Sequence, residues 1–175
     1  MNKKRNYLKI GLILFSINTI LFLDSCATQQ SNVMSFILSD GRLQYYVTPV
    51  IIKSKEVSCS VDFTIHCNNT TISDDVVMNY TIDDSILNTK DSSTVKVSFA
   101  INDKIVRLQN ENIIYRNVKP KKIRMNSTIN KEEFKNMIDT EETVYILFTT
   151  EEGNAVKINS KELKSKLKEL RSVIY

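Results

Sequence analysis

The fold is decided most clearly by residues 57–67, which read VSCSVDFTIHC. Apolar side chains and cysteines occupy every odd position, while serine, aspartate, threonine and histidine occupy every even one. Successive side chains of a β-strand point to opposite faces, so a period of two is typical of a strand with one face in the core and the other toward water. We therefore expect a half-buried strand over 57–67.

Cys59 and Cys67 fall on the apolar side of this strand, eight residues apart. Eight residues of extended chain cover about 26 Å, whereas a disulfide requires Cα atoms within about 7 Å of each other. A continuous strand therefore predicts two free thiols on the core face and no disulfide, even in an exported protein, where disulfides can form. A bulge or hairpin within 57–67 would allow the two cysteines to pair.

Short runs with strand character lie on both sides of 57–67. Residues 34–38 lead into Asp40-Gly41, and Asp-Gly between apolar runs is a strong hairpin signal. The run over 43–53 contains Pro49, which predicts an edge strand or a strand start because proline cannot donate to a sheet ladder. The further runs are 76–82, 94–101, 104–108, 113–118, 121–125, 143–150 and 155–158. About eight to ten short strands separated by turns are typical of a sandwich or barrel.

Two segments have helical rather than strand periodicity. Asn130 can cap a helix over 131–139, with Glu133 as its capping-box partner. Residues 160–173, followed by Ile174, place leucines at helical spacing, which predicts an amphipathic C-terminal helix. The predicted fold is therefore mainly β: an antiparallel β-sandwich, immunoglobulin-like or similar, with a short inserted helix and a C-terminal amphipathic helix.

The first 26 residues have the composition of an export signal. Lys3, Lys4 and Arg5 precede a mostly apolar run over 7–23, and a polar stretch follows Cys26. A positive segment, a short apolar segment and a small residue before the cut make up a secretory signal, which is removed and carries no fold information. The folded domain is therefore expected to begin after this segment.

Leu23-Asp24-Ser25-Cys26 closes the apolar run. The segment resembles the signals of bacterial lipoproteins, in which leucine, two small residues and cysteine end the apolar region; Asp24 stands where a small or aliphatic residue is usual. This resemblance covers residues 1–26 only. It implies that the Cys26 sulfur receives a diacylglycerol, that the bond before Cys26 is cut, and that the new amine is acylated, with palmitate as the expected acyl chain.

The resemblance divides the chain into a signal peptide over 1–25, a lipid attachment and tether over 26–33, and a single β-rich domain over 34–175. Stable anchoring needs two membrane signals, which two or three acyl chains on one residue provide. One alternative is secretion with cleavage nearby, which would leave Cys26 an ordinary thiol. Another is an uncleaved signal anchor, although the apolar run is shorter than the about 20 residues that a span needs.

The charge balance excludes one class of partner. The chain carries 24 basic and 20 acidic residues, for a net charge of +4. Loss of residues 1–25 leaves 20 basic and 19 acidic residues, for a net charge of +1. A nucleic-acid-binding protein is expected to keep a strong basic excess, so we predict no nucleic-acid partner. The remaining length suits one domain with its own core.

The chain offers few residues for chemistry. His66 is its one histidine and falls on the polar side of its strand, opposite the cysteines. Asp62 is about 13 Å away along that strand, so we expect an exposed histidine without a role. The acidic pairs 74–75, 83–84 and 141–142 lack the regular spacing of a calcium loop, and solvated loop charge is expected there. We predict no catalytic residue, no metal site and no cofactor.

Two basic segments could reach an anionic partner. The C-terminal helix carries Lys161, Lys164, Lys166, Lys168 and Arg171 against Glu162 and Glu169. A basic amphipathic helix can lie on an anionic surface, but such a helix more often docks its leucines on the sheet and leaves its charges in water. The second segment consists of Lys119, Lys121, Lys122 and Arg124 around Pro120. A solvated strand face is expected there.

These patterns together predict a membrane-anchored lipoprotein of the bacterial cell envelope that acts as a non-catalytic binding or structural module. Its partners are the membrane, through the lipid on Cys26, and a candidate protein of the envelope. Sheet edges and loops would be the working surface, because loops on a rigid scaffold usually carry function. The alternatives are an envelope hydrolase with an unidentified nucleophile, a secreted soluble β-sandwich protein, and a module that faces lipid or cell wall through the basic helix.

Overall fold

The computed structural model describes residues 32–55, 57–83, 95–102, 104–118, 121–150 and 153–175, which form eleven strands and two helices. The strands are β1 (Val33–Ile37), β2 (Leu43–Lys53), β3 (Ser58–Asn68), β4 (Thr71–Ile72), β5 (Val76–Asp83), β6 (Lys96–Ile101), β7 (Lys104–Arg107), β8 (Gln109–Val118), β9 (Lys121–Ile129), β10 (Val144–Thr149) and β11 (Ala155–Asn159). The helices are α1 (Lys131–Asp139) and α2 (Lys161–Ile174).

The strands pair in antiparallel fashion and form two sheets. The larger sheet has seven strands in the order β1-β2-β3-β5-β9-β8, with β4 paired to the end of β3, and the smaller has four in the order β11-β10-β6-β7. Phe63 of β3 packs on Phe99 of β6 with ring centroids 6.3 Å apart, so the two sheets face each other. The prediction of a mainly β, antiparallel sandwich with a short inserted helix and a C-terminal helix is confirmed.

Residues 57–67 supply a central strand of the core, as their alternation predicts. β3 runs over Ser58–Asn68 without a break, and Val61, Phe63 and Ile65 on its inner side are completely buried. Phe63 also packs against Phe134 of α1, with ring centroids 5.5 Å apart. The small sheet and a helix therefore share the inner face of the large sheet.

β2 departs from its prediction at Pro49. The strand continues through this residue, so the prediction of a strand start is wrong, and the first part of β2 lies between β1 and β3. β1 pairs only with Leu43–Val47, however, so among the described strands residues 50–53 pair with β3 alone and Pro49 lies where the β1 side is unpaired. The register of β2 against β3 shifts between Val47 and Val50. Such a bulge takes residues out of the ladder, and a residue outside the ladder does not need the N–H that proline lacks.

The Asp-Gly turn forms the predicted hairpin between β1 and β2. Gly41 has φ +84° and donates its N–H to Leu38 O, while Leu38 N–H donates to Arg42 O. Glycine suits this φ because it has no Cβ. The Asp40 carboxylate accepts from the Arg42 N–H and guanidinium at 3.1 and 2.8 Å. The backbone hydrogen bond and then the guanidinium hydrogen bond lower the pKa of Asp40. The turn is therefore stabilised by an ion pair as well as by backbone hydrogen bonds.

Both helices have side-chain caps and one apolar face. The Asn130 side chain accepts from the N–H groups of Glu132 and Glu133, and the Ser160 hydroxyl accepts from that of Leu163. These bonds satisfy donors that have no partner within the helix. α1 buries Phe134, Met137 and Ile138, and α2 buries Leu163, Lys166, Leu167, Leu170 and Ile174. α2 packs against α1, β1 and β2, so its leucines dock on the domain as expected.

Candidate functional site

Cys26, the predicted lipid attachment residue, lies outside the described residues. The structure does describe where the following chain enters the domain. Asn32 O accepts from Thr48 N–H at 2.8 Å, and Asn32 N–H and Nδ2 donate to the two carboxylate oxygens of Glu169 at 3.1 and 2.8 Å. β1 begins at Val33, the last residue of the predicted tether. The entry point is therefore held against the C-terminal half of α2.

Lys166 fastens α2 to the large sheet. Its side chain is 7% exposed, and Nζ donates to Thr48 O at 3.0 Å, Thr48 Oγ1 at 2.8 Å and Pro49 O at 3.0 Å. An ammonium group has three donors, so each has an acceptor at the β2 bulge. Burial of the charge is tolerated because it is fully hydrogen-bonded. The expectation of a charge left in water is wrong for this lysine.

The exposed side of α2, which we call the α2 crest, consists of Lys161, Lys164, Ser165, Lys168 and Ser172. This spacing places them on one face of the helix, opposite the leucines. Lys164 Nζ donates to Glu141 O at 2.9 Å. Within the described residues, Lys161 and Lys168 form no ion pair or hydrogen bond through their side chains. The crest is therefore a basic surface with two uncompensated lysines.

The outer face of the large sheet, opposite the core, carries a buried carboxylate. Asp62 of β3 lies on this face yet is only 1% exposed. Its Oδ2 accepts from Arg124 Nη2 of β9 at 2.7 Å, and its Oδ1 accepts from Asn79 Nδ2 of β5 at 2.9 Å. Arg124 Nη1 also donates to Thr81 Oγ1 at 3.1 Å. The buried charge is tolerated because both oxygens are paired, one of them with a cation.

A row of amides extends this network across the sheet. Asp62, Asn79 and Asn126 are direct cross-strand neighbours on β3, β5 and β9, and Asn126 Nδ2 donates to Asn79 Oδ1 at 2.9 Å. Asn112 of β8 is next in register. At the β3 end of the row, Tyr46 of β2 lies opposite Thr64, two residues from Asp62. Burial and then the Asp62 charge raise the pKa of Tyr46. The hydrogen bonds from Asn126 to Asn79 and from Asn79 to Asp62 therefore join β9, β5 and β3.

The expectation of a solvated basic stretch is wrong for Arg124. The arginine belongs to the segment that surrounds Pro120, but its guanidinium is three-quarters buried against Asp62. The two residues are 62 positions apart in the sequence. A partner at that distance leaves no local pattern, so only the pairing of β3, β5 and β9 brings the two charges together.

His66 lies at one end of the same face and is half-buried, so the expectation of an exposed histidine is wrong. Nε2 is 3.1 Å from Gln44 Oε1, and Nδ1 is 3.6 Å from Asp74 Oδ2. Asp74 also pairs with Arg42 at 2.5 Å. Ser73 Oγ donates to Asp74 Oδ2 at 3.0 Å or to the His66 carbonyl at 3.2 Å. A hydrolytic relay needs the nucleophile bonded to the imidazole, and this serine bonds the carboxylate and the backbone instead.

Cys59 and Cys67 lie on the inner face of β3, where the alternation places them, and both are buried and unpaired. Burial raises the pKa of the Cys67 thiol to about 11 and also raises that of Cys59. The thiolate is the nucleophilic form of cysteine, so these thiols are neutral and unreactive near neutral pH. They pack as small hydrophobes.

The acidic pairs of the sequence serve as local partners. Asp75 Oδ1 accepts from Lys131 N–H at 3.1 Å, at the first turn of α1, and Glu141 Oε1 accepts from Arg171 at 3.2 Å. Asp84 lies outside the described residues. In the part of the chain that the structure describes, no group of three or more histidine, cysteine, aspartate or glutamate side chains could hold a metal ion.

β8 forms one edge of the large sheet and, among the described strands, pairs only with β9. Every residue over 109–117 is exposed. Three consecutive ones are large and apolar: Ile113 (51%), Ile114 (52%) and Tyr115 (42%). An edge strand presents unpaired backbone N–H and C=O groups to other chains, and a contiguous exposed apolar stretch is typical of an interaction site. We call residues 109–118 the β8 edge.

A cleft of about 470 Å³ opens beside the start of the β8 edge. Its lining includes Lys96, Ser98, Ile105, Arg107, Leu108 and Glu111, from β6, β7, β8 and the residue between the last two. Glu111 Oε1 accepts from Tyr80 OH at 3.0 Å, which ties the first part of β8 to the core. The mixture of apolar and charged side chains suits a polypeptide segment, since protein interfaces combine both kinds of group.

In comparisons with known proteins, this chain matches no family model, no curated protein and no solved structure. Neither helix in the described part of the chain has the length and apolar character needed to cross a bilayer. Two surfaces are taken further as candidate functional sites, the β8 edge and the α2 crest, although β1 also exposes Met34, Phe36 and Ile37. The two candidate sites lie toward opposite edges of the large sheet, because α2 packs on β1 and β2 and β8 is at the other end of the strand order.

Proposed function

We propose that this protein is a lipid-anchored module of the bacterial cell envelope, works without catalysis and binds a protein partner along the β8 edge. The observation that carries the proposal is Leu23-Asp24-Ser25-Cys26 at the end of a basic and apolar segment. Acylation of Cys26 would keep the domain at a membrane, because each buried methylene contributes about 0.8 kcal/mol and two or three chains are attached.

The anchor is tested by the intact mass and detergent partitioning of the protein purified from bacterial membranes. We expect a species that begins at Cys26, carries added acyl mass and enters the detergent phase. Cys26→Ala should lose the acyl mass, whereas the matched control Cys59→Ala should keep it, because Cys59 is a buried core thiol. An unmodified, water-soluble product would overturn the anchor and favour secretion. An unmodified product that keeps residues 1–25 would favour an uncleaved signal anchor.

The geometry around His66 supports binding rather than hydrolysis. Ser73 Oγ bonds Asp74 and a backbone carbonyl, and the His66 ring faces Gln44 and Asp74. We expect a fluorophosphonate probe, which phosphonylates activated serines with loss of fluoride, to leave the folded protein unlabelled. Labelling that Ser73→Ala abolishes would contradict this part of the proposal and favour the envelope hydrolase.

The β8 edge is supported as the partner site by its unpaired backbone and its exposed apolar triplet. An extended peptide can add to a sheet edge through main-chain hydrogen bonds, with alternate side chains entering neighbouring pockets. The cleft beside Glu111 lies where such side chains would enter. Specificity would then come from the cleft, while the backbone of β8 supplies affinity.

The partner site is tested by crosslinking in living cells. A photoreactive amino acid at Ile114 should give a discrete adduct with one envelope protein, whereas the same group at Ile37, which is 79% exposed at the β1 edge, should not. A second variant carries the photoreactive group at Asn112. The yield of its adduct should fall at least about tenfold when Ile114 is also changed to lysine, because one apolar anchor is replaced by a charge. Equal adducts from Ile37 and Ile114, or none from either, would overturn the β8 edge as the site.

A further inference from the structure

The length of chain between Cys26 and the domain limits how far the domain can stand from its anchor. Asn32 follows Cys26 by six residues, and six residues span at most about 20 Å when fully extended. This step rests on the proposed acylation of Cys26. Whatever surrounds Asn32 must then lie within about 20 Å of the glycerol backbone of the lipid.

Asn32 lies between the C-terminal half of α2 and the β2 strand. Its N–H and its side-chain amide donate to the Glu169 carboxylate, and its carbonyl is bonded to Thr48 of β2. Glu169 follows Lys168 directly, and the far end of the crest at Lys161 is eight residues earlier, or about 12 Å along the helix axis. The whole α2 crest is therefore within reach of a membrane that holds Cys26.

The charge of the crest complements an anionic lipid surface. Lys161 and Lys168 are exposed and have no side-chain bond among the described residues, and Lys164 donates to a backbone carbonyl only. The acidic residues of α2 are occupied nearby: Glu169 accepts from Asn32, and Glu162 lies 3.9 Å from the buried Lys166. On α2 itself the outward-facing lysines therefore outnumber the acids, while Glu141 and Glu142 before β10 line a cleft together with Lys164 and Lys168.

We propose that the α2 crest lies on the anionic headgroup surface of the membrane that carries the lipid anchor. The helix rests there by its basic side and stays fastened to the domain by its leucines and Lys166. The β8 edge is five strand spacings from β1, or about 24 Å along the sheet, so the surface proposed for the lipid and the surface proposed for the partner are separate.

The test uses the natively acylated full-length protein in vesicles of phosphatidylcholine alone or mixed with phosphatidylglycerol. Ser165→Cys places a reporter thiol on the crest, and a polarity-sensitive fluorophore attaches there selectively because Cys59 and Cys67 are buried. Asn117→Cys, on the β8 edge, is the matched control position. We expect the Ser165 label to report a lipid environment in the anionic vesicles only, and the Asn117 label to report water in both.

Neutralising the crest should release it. Each lysine near an anionic surface favours the docked state about fivefold, so changing Lys161, Lys164 and Lys168 to glutamine should shift the ratio of docked to undocked domain about 100-fold. Raised salt should act in the same direction, because ions screen exposed charges. Changing Lys53, Lys55 and Lys104 to glutamine removes the same charge from other exposed positions and should leave the Ser165 signal unchanged.

The outcomes separate this inference from the proposed function. If the intact mass shows the acylated Cys26 but the Ser165 signal does not depend on lipid charge, the anchor stands and the docking of α2 is overturned. The same follows if the two triple variants behave alike. If the protein carries no acyl mass, the anchor fails and the docking argument fails with it.

Discussion

The two edge strands of the seven-stranded sheet, β1 and β8, differ in length and in the elements that contact them. β1 has five residues, and the chain that leads into it is bonded to α2 through Asn32 and Glu169. β8 has ten residues, and all of its described side chains are exposed, including three consecutive large apolar ones. Proteins usually shorten or cover an edge strand because an open one pairs with other chains. β1 also exposes Met34, Phe36 and Ile37, so the two edges differ in length and in the attachment of α2; we call the β1 side, which α2 contacts, the closed edge and β8 the open edge.

The closed edge owes its cover to the C-terminal helix. α2 packs against β1 and β2, Lys166 bonds the β2 bulge, and Tyr45 OH donates to Val173 O at 3.5 Å. The open edge is held from one side only, through its ladder to β9 and the bond from Tyr80 to Glu111. Substitutions should therefore cost stability at the β1 side and binding at the β8 side.

The largest expected difference comes from truncating one apolar residue at each edge. Leu170→Ala should lower the free energy of unfolding by about 3 kcal/mol, because Leu170 lies on the inner face of α2, is fully buried and leaves a cavity when truncated. Ile114→Ala should change it by less than about 0.5 kcal/mol, because the side chain already faces water. Urea denaturation of both variants measures the two values. Similar losses would show that β8 is packed in solution and would contradict an open edge.

The Asp62 network between the two edges should give the next largest effect. Asp62→Ala removes the acceptor of both Arg124 and Asn79, and hydrogen bonds to charged groups contribute about 2 kcal/mol each. We expect a loss of about 2 kcal/mol, because Arg124 is partly exposed and can turn toward water. Hydrogen exchange should accelerate more at β8 and β9 than at β1. A double-mutant cycle with Arg124→Ala that gives no coupling would contradict the ion pair.

The fastening of α2 is tested by a matched pair of lysines on the same helix. Lys166→Met keeps the length of the side chain but loses three hydrogen bonds at the β2 bulge, and we expect a loss of about 1–2 kcal/mol. Lys168→Met lies on the crest and should change stability by less than about 0.5 kcal/mol. Thermal unfolding of both variants provides the measurement. Equal Tm values for the two would mean that Lys166 does not hold the closed edge.

Alkaline pH should lower the stability of the domain through buried groups that lose a proton at high pH, among them the Cys67 thiol and the Tyr45 hydroxyl. The folded state keeps the Cys67 proton up to about pH 11, whereas the unfolded state loses it near the ordinary value of 9.0. The unfolded state therefore binds fewer protons between these values, and stability falls as pH rises through this window, by on the order of 1 kcal/mol at pH 10. Burial raises the pKa of Tyr45 in the same region and adds to the loss above pH 10. Cys67→Ala should reduce the decline from pH 9 to 10 without abolishing it, because the folded state also keeps the proton of the buried Cys59 thiol, and an unchanged slope would show that Cys67 does not contribute.

The elements that follow from local patterns are predicted well by the sequence. Residues 57–67 form an unbroken strand with its cysteines inward, because alternation depends only on neighbouring side chains. The Asp40-Gly41 turn and the Asn130 cap are also local, since each is made within a few residues. The prediction of a strand start at Pro49 was wrong because β2 continues through a bulge that it makes against β3, at a point where β1 has already ended.

The candidate surfaces were predicted only in part. A basic C-terminal helix and a strand over 113–118 are visible in the sequence, but the burial of Lys166 and the open position of β8 are not. Each depends on which element lies alongside: β2 supplies the acceptors of Lys166, and the strand order leaves β8 at the end of the sheet. The pairing of Arg124 with Asp62 is missed for the same reason.

Local sequence is enough to set the strand and helix periods, the turn at Gly41 and the motif that ends at Cys26, since each is a property of adjacent residues. Which lysine is buried, which arginine is paired and which edge is left open depend on how distant parts of the chain pack together. Antiparallel pairing brings together residues far apart in the chain, and the stability of a charge depends on the groups and the water around it rather than on its neighbours in sequence.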